Sequence, residues 1–202
     1  TALGYAALLV NSTGESNVSL GSGTLLSNTT ADYNTAVGTN AMLLNTTGTQ
    51  NVAVGSFSLD AQTTGDNNTI VGYGSGSAIT TGGNNTIVGT SAGATLTTGG
   101  NCILIGREAN VSGANNDELV IGNSIAGKGN NTGLIYPPGG GGVHNANNTT
   151  TWATTCDRRI KKNIKDNNTG LDVINKIQVK NFEYRTEDEI VDFENTASAV
   201  VK

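Results

Sequence analysis

The stretches "NTAVG" (34–38), "NVAVG" (51–55), "NTIVG" (68–72) and "NTIVG" (85–89) repeat one short pattern every 17 residues. Each ends on a glycine, and the glycine column keeps its spacing along most of the chain: Gly4, Gly21, Gly38, Gly55, Gly72, Gly89 and Gly106. Three more columns share the period: a glycine-rich column from Gly14 to Gly99, an Asn column from Asn17 to Asn85 and a Thr column from Thr13 to Thr98. A fixed period of this kind indicates a repeat architecture.

Each repeat has a short, β-branched triplet bounded by Asn, Thr and Gly, which favours a strand between turns. A strand of three residues buries little alone, but equivalent strands stacked about 4.8 Å apart form a continuous ladder. We therefore predict an all-β fold, a parallel β-solenoid of 17-residue coils. The glycine columns mark tight turns or positive φ, and the Asn column suits amides that hydrogen-bond between coils. Gly122 follows Gly106 after 16 residues, so "LVIG" (119–122) is predicted to be a final, irregular coil.

The residues expected to point inward are small and make a thin core: Ala36, Val37, Ala53, Val54, Ile70 and Val71. Apolar pairs elsewhere in the repeat are expected on the surface: Leu8, Leu9, Leu25, Leu26, Met42 and Leu43. Such a surface needs a partner, and parallel association of identical chains would cover it without leaving open strand edges. The sequence therefore predicts a homotrimer.

Composition narrows the possible functions. With 28 glycines, 4% aromatic residues and a net charge of −5, the chain suits neither a large globular core nor binding to nucleic acid. Cys102 and Cys156 are too isolated for a disulfide framework or a metal site, and we expect no cofactor. No stretch approaches 18 apolar residues, so no membrane insertion is expected. The acidic residues of the repeats are scattered, which speaks against a glycoside hydrolase site.

The chain changes character near residue 150. Residues 154–165, "TTCDRRIKKNIK", hold five of its eleven Lys and Arg residues, whereas residues 1–150 hold only Arg107 and Lys128. Before the change comes a segment rich in Gly and Asn that contains both prolines, which is typical of a spacer. We predict three parts: a solenoid shaft or head (1–122), a linker (123–150) that holds His144 as a solvated residue, and a separate module (151–202).

The repeats resemble the left-handed β-roll heads of trimeric autotransporter adhesins and analogous shafts in bacteriophage fibres. Residues 152–185 resemble the start of the endosialidase-type intramolecular chaperone, an autoprocessing domain at the end of many phage tail fibres and spikes. The matching motifs are "DRRIKKNI" (157–164), "GLDVINKI" (170–177) and "NFEYR" (181–185). The last two also predict a helix followed by a strand. This resemblance implies a module that directs trimerisation.

In that family a Ser, followed five residues later by a Lys, is the proposed self-cleaving pair. The matching positions are Cys156 and Lys161. Nearby cations favour a thiolate, so Cys156 is one candidate nucleophile; the other interpretation is a variant that does not process itself. We expect no turnover enzyme, and at most a single self-cleavage before Cys156.

The resemblance implies a viral tail-fibre component, assembled in the host cytoplasm and located in the virion. Its expected partners are two further copies of the chain, other tail proteins and a host surface receptor, either a glycan or an outer-membrane protein. Tyr5, Tyr33, Phe57 and Tyr73 are candidates for receptor contact or for packing between chains. The alternatives are a bacterial trimeric adhesin head and, with less support, an ice-binding solenoid.

Two features of the ends are also expectations. The chain opens on "TALG" in the middle of a repeat, so further repeats are expected to precede it. It ends at Lys202, before the long helical part of the chaperone family, so this module is expected to be incomplete. The Asn-x-Ser/Thr sequons that recur with the repeat, for example at Asn11 and Asn28, are interpreted as turn chemistry and not as glycan sites.

Overall fold

A computed structural model describes residues 1–113, 116–137, 141–145 and 153–154. These form one sheet of eleven strands in sequential order, with no helix among the described residues. The strands are β1 (Ala2–Leu3), β2 (Val18–Leu20), β3 (Thr35–Val37), β4 (Val52–Val54), β5 (Thr69–Val71), β6 (Thr86–Val88), β7 (Ile103–Ile105), β8 (Leu119–Gly122), β9 (Gly133–Tyr136), β10 (Val143–Asn145) and β11 (Ala153–Thr154). The predicted all-β parallel solenoid is confirmed.

Strands β1 to β9 pair in parallel, each with the next along the chain. From β1 to β7 equivalent residues are 17 apart, as in the pair Ala36 and Ala53. The step then shortens, because Leu104 pairs with Val120 and Val120 with Leu134. The irregular coil at 119–122 is therefore present, and one more parallel strand follows it.

The parallel stack ends where the chain reverses direction. Strand β10 pairs antiparallel with β9 on one side and with β11 on the other. Both β9 and β10 lie within the range 123–150 that the sequence assigns to a linker. The division of the chain at residues 122 and 150 stays a prediction. His144 differs from its expected role as a solvated residue: it is half-buried in β10, opposite Leu134 and Ala153.

The core lies under the centre of each strand. In β2 to β7 the middle residue of each triplet is buried, whereas its two neighbours point outward, as the period of two requires: the buried centres are Ser19, Ala36, Ala53, Ile70, Ile87 and Leu104. The prediction for Ala36, Ala53 and Ile70 is confirmed. The prediction that Val37, Val54 and Val71 point inward is wrong, since they occupy the outward third position.

Across the core from each strand lies a turn segment with alternating backbone conformation. Its left-handed residues include Leu8, Leu25, Met42 and Leu59, with φ between 49° and 52°. The side chains of Leu25, Met42 and Leu59 are fully buried, so the prediction of surface positions for Leu25 and Met42 is wrong. Of the second members of these pairs, Leu9 is exposed, whereas Leu26 and Leu43 are half-buried.

The first glycine column adopts the backbone that was predicted for it. Its φ angles lie between 122° and 144°, a range that side-chain-bearing residues rarely adopt. Each glycine also lies against the next coil: a Cβ on Gly38 would be 2.8 Å from the carbonyl oxygen of Gly55. The second glycine column is different, because Gly48 and Gly65 do not have a positive φ. Their buried carbonyl oxygens instead accept hydrogen bonds from the side-chain amides of Asn34 and Asn51.

The Asn column forms the predicted ladder of amides. In each coil the side-chain oxygen accepts the backbone N–H of the next rung, for example Asn51 Oδ1 from Asn68 N at 2.9 Å. The amide nitrogen of Asn68 donates to the carbonyl of Gly82 at 2.9 Å. These buried polar groups are therefore satisfied from coil to coil.

A second ladder links three of the sequon asparagines, Asn11, Asn28 and Asn45, and each of them also donates to the carbonyl three residues later, which is turn chemistry as predicted. Asn28 Nδ2 donates to Asn11 Oδ1 at 2.7 Å, and Asn45 Nδ2 donates to Asn28 Oδ1 at 3.3 Å. Gln62 continues the ladder, and Ile79 and Leu96 then take its place in the following coils. The spacing of Asn11, Asn28 and Asn45 was the sequence signal for this ladder.

The first Asn ladder ends in two different groups. Cys102 occupies the next position, where burial raises the pKa of its thiol and the nearby charges of Glu118 and Asp117 add to the shift. Glu118, one coil later, is buried and accepts hydrogen bonds from the N–H groups of Gly129 at 2.8 Å and Ser112 at 3.4 Å. Its carboxylate ties the last coil to the irregular loops around it.

Candidate functional site: an aliphatic stripe on the sheet

The outward face of the sheet carries a continuous row of aliphatic side chains. We call the following residues the aliphatic stripe: Leu3, Val18, Leu20, Val37, Val54, Val71, Val88, Ile103, Ile105, Ile121 and Ile135. Eight of them, all except Val37, Val54 and Ile121, expose between 36% and 67% of their surface. Every parallel strand contributes at least one member to the stripe, and its third-position column runs from β1 to β9 without interruption.

No charged side chain occupies an outward position of β2 to β8; the remaining members there are Thr35, Val52, Thr69, Thr86 and Leu119. Burying apolar surface yields roughly 25 cal/mol per Å². An exposed aliphatic row of this length is therefore unfavourable in water and typical of an interaction site. The stripe was not predicted from the sequence, because Val37, Val54 and Val71 were expected to point inward.

A second apolar surface lies in the turn segments of the first three coils. We call its members the leucine patch: Leu9, Val10, Leu26, Leu43 and Leu44. Leu9 exposes 66% and Leu44 exposes 46% of its surface. The patch lies across the core from the stripe, since its residues adjoin the buried Leu25 and Met42 and the partly buried Leu8.

The patch ends abruptly at Asp60, which follows Leu9, Leu26 and Leu43 in its column. Burial raises the pKa of the Asp60 carboxyl. Its Oδ1 atom is buried without a hydrogen-bond partner among the described residues. Ser77 and Ala94 continue the column, so the later coils present small side chains here.

The four aromatic residues proposed for receptor contact do not form one surface. Phe57 and Tyr73 touch edge to face, with ring centroids 5.9 Å apart and planes at 76°. Tyr5 shares the column of Tyr73 but lies four coils away, about 19 Å at the spacing of stacked strands. Tyr33 is exposed in a different corner, immediately before the buried Asn34. Only the Phe57–Tyr73 pair is therefore available as a local aromatic site.

An open groove of about 420 Å³ lies beside the irregular coil. Its lining residues are Thr95, Glu108, Asn110, Val111, Ser124, Ile125 and Ala126. The polar members bond mainly to one another and to Arg107: Glu108 accepts from Arg107 at 2.6 Å and from Ser124 at 2.6 Å. Asn110 Oδ1 accepts from the backbone N–H of Thr95 at 3.2 Å. The groove lies where the coil is shorter than 17 residues. Because the repeat pattern ends there, the sequence did not predict this groove.

The described residues contain no group of three His, Cys, Asp or Glu side chains placed to hold a metal ion. Within the same ranges, no helix has the length and apolar character needed to cross a membrane.

Cys156 and Lys161, the predicted self-cleaving pair, lie outside the described residues, as do the helix and strand predicted for residues 169–185. Their geometry stays a prediction. The described chain ends at β11, whose last residue, Thr154, is two positions before Cys156.

Comparison with known proteins adds one finding about this last part of the chain. Residues 156–198, about a fifth of the sequence, match the family model described as "Chaperone of endosialidase". No curated protein matches the chain. No solved structure matches it either. The match supports the resemblance stated for the carboxy-terminal segment, and together with the β-solenoid it fits a fibre-like protein.

Proposed function

We propose that the chain is the distal part of a trimeric viral tail fibre, with a solenoid shaft or head and a carboxy-terminal segment that directs assembly. One observation carries the proposal. A solenoid with an uncharged aliphatic stripe along its length precedes a segment that matches the chaperone of endosialidase. The exposed aliphatic stripe requires a partner surface, and the carboxy-terminal segment would align the chains so that these surfaces meet.

Association of parallel copies raises a problem of register. Neighbouring rungs are almost identical, since β5 and β6 have the same sequence, "TIV". A slip by one coil therefore replaces each side-chain contact by a similar one and costs little free energy locally. A terminal module that aligns the chains before the coils pair would solve this problem. That is the role proposed for residues 151–202.

Host attachment is the function proposed for the assembled fibre, through a surface glycan or an outer-membrane protein. The contacting aromatic rings of Phe57 and Tyr73 support this role, because aromatic residues dominate sugar and protein recognition. Other tail proteins would bind elsewhere on the fibre. A bacterial trimeric adhesin head would use the same solenoid, and the carboxy-terminal match favours the viral fibre.

An ice-binding solenoid has weaker support. The second Thr of each "TTG" is exposed, as at Thr47 and Thr64. The first Thr instead donates its hydroxyl to the next coil, as Thr46 Oγ1 does to the Thr63 carbonyl at 3.0 Å. Only the second Thr of each coil is left as an exposed column of hydroxyls, whereas binding to ice would need a two-dimensional array of them. Thermal-hysteresis measurements on the full chain should show none.

The full chain tests the proposal. We expect a band on unboiled denaturing gels at three times the chain mass of 20.5 kDa, reduced to one chain by boiling. Cys156→Ser restores the hydroxyl of the family, so intact-mass measurement should detect cleavage before residue 156 if Lys161 is in place. Lys161→Ala in the same background is the control and should leave the chain whole. A single-chain band without boiling, together with a monomeric mass in solution, would refute the proposal.

A further inference from the structure

We propose that the groove beside the irregular coil and the Phe57–Tyr73 pair form one binding site, and that its ligand is a neutral glycan. This inference rests on the proposed host attachment, because it names the class of receptor and the residues that would hold it. The arguments come from the position of the two parts, from their chemistry and from the balance of charge between them.

Both parts of the site lie in one corner of the solenoid, directly after the first glycine column. Backbone hydrogen bonds stack this corner from coil to coil: Ser91 N donates to the Tyr73 carbonyl at 2.9 Å. One coil later, Glu108 N donates to the Thr90 carbonyl at 2.9 Å. Tyr73 and Arg107 occupy equivalent positions two coils apart, so about 10 Å separates them along the stack. The backbone therefore fixes the aromatic pair relative to the groove, at a separation that a short oligosaccharide spans.

The aromatic end of the site offers a hydrophobic face. Tyr73 exposes 60% and Phe57 exposes 37% of its surface. Gly74 has no side chain, and a Cβ added there would find only Ser91 Oγ within 4 Å, at 3.9 Å. The space beside the rings is therefore open. A sugar ring carries C–H groups on one face that pack on an aromatic ring, and the tyrosine hydroxyl adds a polar contact at the edge.

The groove end offers polar groups that are held in place before any ligand binds. Arg107 donates to Glu108 Oε1 at 2.6 Å and to Ser124 Oγ at 2.9 Å. Ser124 Oγ donates to Glu108 Oε2 at 2.6 Å, and Asn110 Oδ1 accepts from Thr95 N at 3.2 Å. The Arg107 and Glu108 side chains still expose 54% and 46% of their surface. Planar carboxylate, guanidinium and amide groups suit the adjacent hydroxyls of a sugar, and their fixed geometry lowers the entropy cost of binding.

The charge balance favours a neutral ligand over an acidic one. None of the residues that line the groove is Lys or Arg, and Arg107 beside it is paired with Glu108. An acidic sugar would face the Glu108 carboxylate and would have to displace it from the guanidinium. The volume of about 420 Å³ lies within the range of roughly 300–1,000 Å³ that is usual for sites of small ligands. The groove therefore suits one or two sugar rings, with the aromatic pair as a further contact for a longer chain.

An array of immobilised oligosaccharides tests the inference on the full chain. Its neutral arm holds hexose and N-acetylhexosamine oligomers, and its anionic arm holds the same oligomers with sialic acid or sulfate added. We expect the parent chain to bind in the neutral arm, and Tyr73→Ala and Asn110→Ala each to weaken that binding about tenfold. Tyr33→Ala removes an exposed aromatic ring from a different corner and is the matched control, so it should bind as the parent does. Glu108→Gln leaves the Arg107 charge uncompensated and should shift the preference toward the anionic arm.

Light scattering on the same samples keeps this inference apart from the proposed fibre. A trimeric parent chain that binds no neutral oligosaccharide would overturn the inference and leave a protein receptor for the fibre. Binding in the anionic arm alone, or binding that survives both alanine substitutions, would overturn it as well. Dissociation of the trimer by Tyr73→Ala would assign this ring to packing between chains and remove it from the site. A monomeric parent chain would refute the proposed trimeric fibre, and the array would then decide the inference separately.

Discussion

The early coils (residues 1–62) and the late coils (residues 63–111) fill the same backbone in opposite ways. In the early coils the strand centre is small, as in Ala36 and Ala53, and the turn segment supplies a large residue, as in Met42 and Leu59. In the late coils the strand centre is large, as in Ile87, and the turn position equivalent to Met42 and Leu59 is a glycine, Gly76 or Gly93.

The space around the late-coil glycines shows that the two positions share one volume. A Cβ added to Gly76 would lie 3.3 Å from Cγ2 of Ile70, and one added to Gly93 would lie 2.7 Å from Cδ1 of Ile87. The stacked backbone thus sets the interior volume of each coil, and either the strand centre or the turn position carries the large side chain that fills it. A change at one position has to be matched by a change at the other.

The largest expected effect comes from emptying an early coil. Leu59→Gly removes a fully buried side chain and should lower the free energy of unfolding by about 4 kcal/mol. Adding Ala53→Ile converts the coil to the late type and should recover at least half of that loss. Denaturant unfolding followed by circular dichroism measures the cycle. Additive losses in the double variant would contradict a shared volume.

Overfilling a late coil should cost slightly less. Gly93→Leu forces a side chain against Ile87 and Leu104 and should destabilise the chain by about 3 kcal/mol. Gly74→Ala is the matched control, since its φ is also left-handed, at 58°, but the only atom near the added Cβ is Ser91 Oγ at 3.9 Å. It should lose only about 1 kcal/mol from backbone strain. Equal losses would show that φ, and not packing, keeps these glycines.

The second amide ladder is confined to the early coils, where its loss should cost about 2 kcal/mol. Asn45→Leu places the late type of residue in an early coil. The change removes the donor to the Gly48 carbonyl, a bond of 2.9 Å, and the acceptor of Gln62 Nε2. Thr47→Ala, at an exposed position nearby, should be neutral. If Asn45→Leu is as stable as the parent chain, hydrogen bonding is not what distinguishes the early coils.

These comparisons separate what the sequence predicts from what it does not. The period gives the coil, the strand triplets, the positive φ of the first glycine column and the Asn ladder, because each depends on the spacing of identical residues. Burial of Leu25 beside the outward Leu26 depends on left-handed backbone at a leucine, for which residue type gives no signal. The stripe was missed for a related reason: the centre and third position of "TAV" are both apolar, so the pattern does not reveal which one faces the core.

The smallest expected effect lies at the border between the two regions. Burial raises the pKa of Asp60 above 3.8, its ordinary value, so the charged carboxylate is disfavoured in the folded chain. Stability associated with the protonated form is fully present below pH 3.8 and is lost as the pH rises through the folded pKa. Asp60→Asn should therefore raise the melting temperature slightly at pH 7, and the gain should vanish near pH 3. A gain that persists unchanged at pH 3 would contradict burial of the charge as its cause.

The most direct test of the account is the mass of the full chain in solution, with and without charges on the stripe. Light scattering should give three times the chain mass for the parent. Val71→Lys with Val88→Lys should give a single chain mass with the β-sheet circular dichroism retained, because outward lysines leave the core intact. Thr64→Lys with Thr81→Lys, on the exposed Thr column, should stay trimeric. A trimer that survives the stripe lysines would contradict the claim that this face holds the copies together.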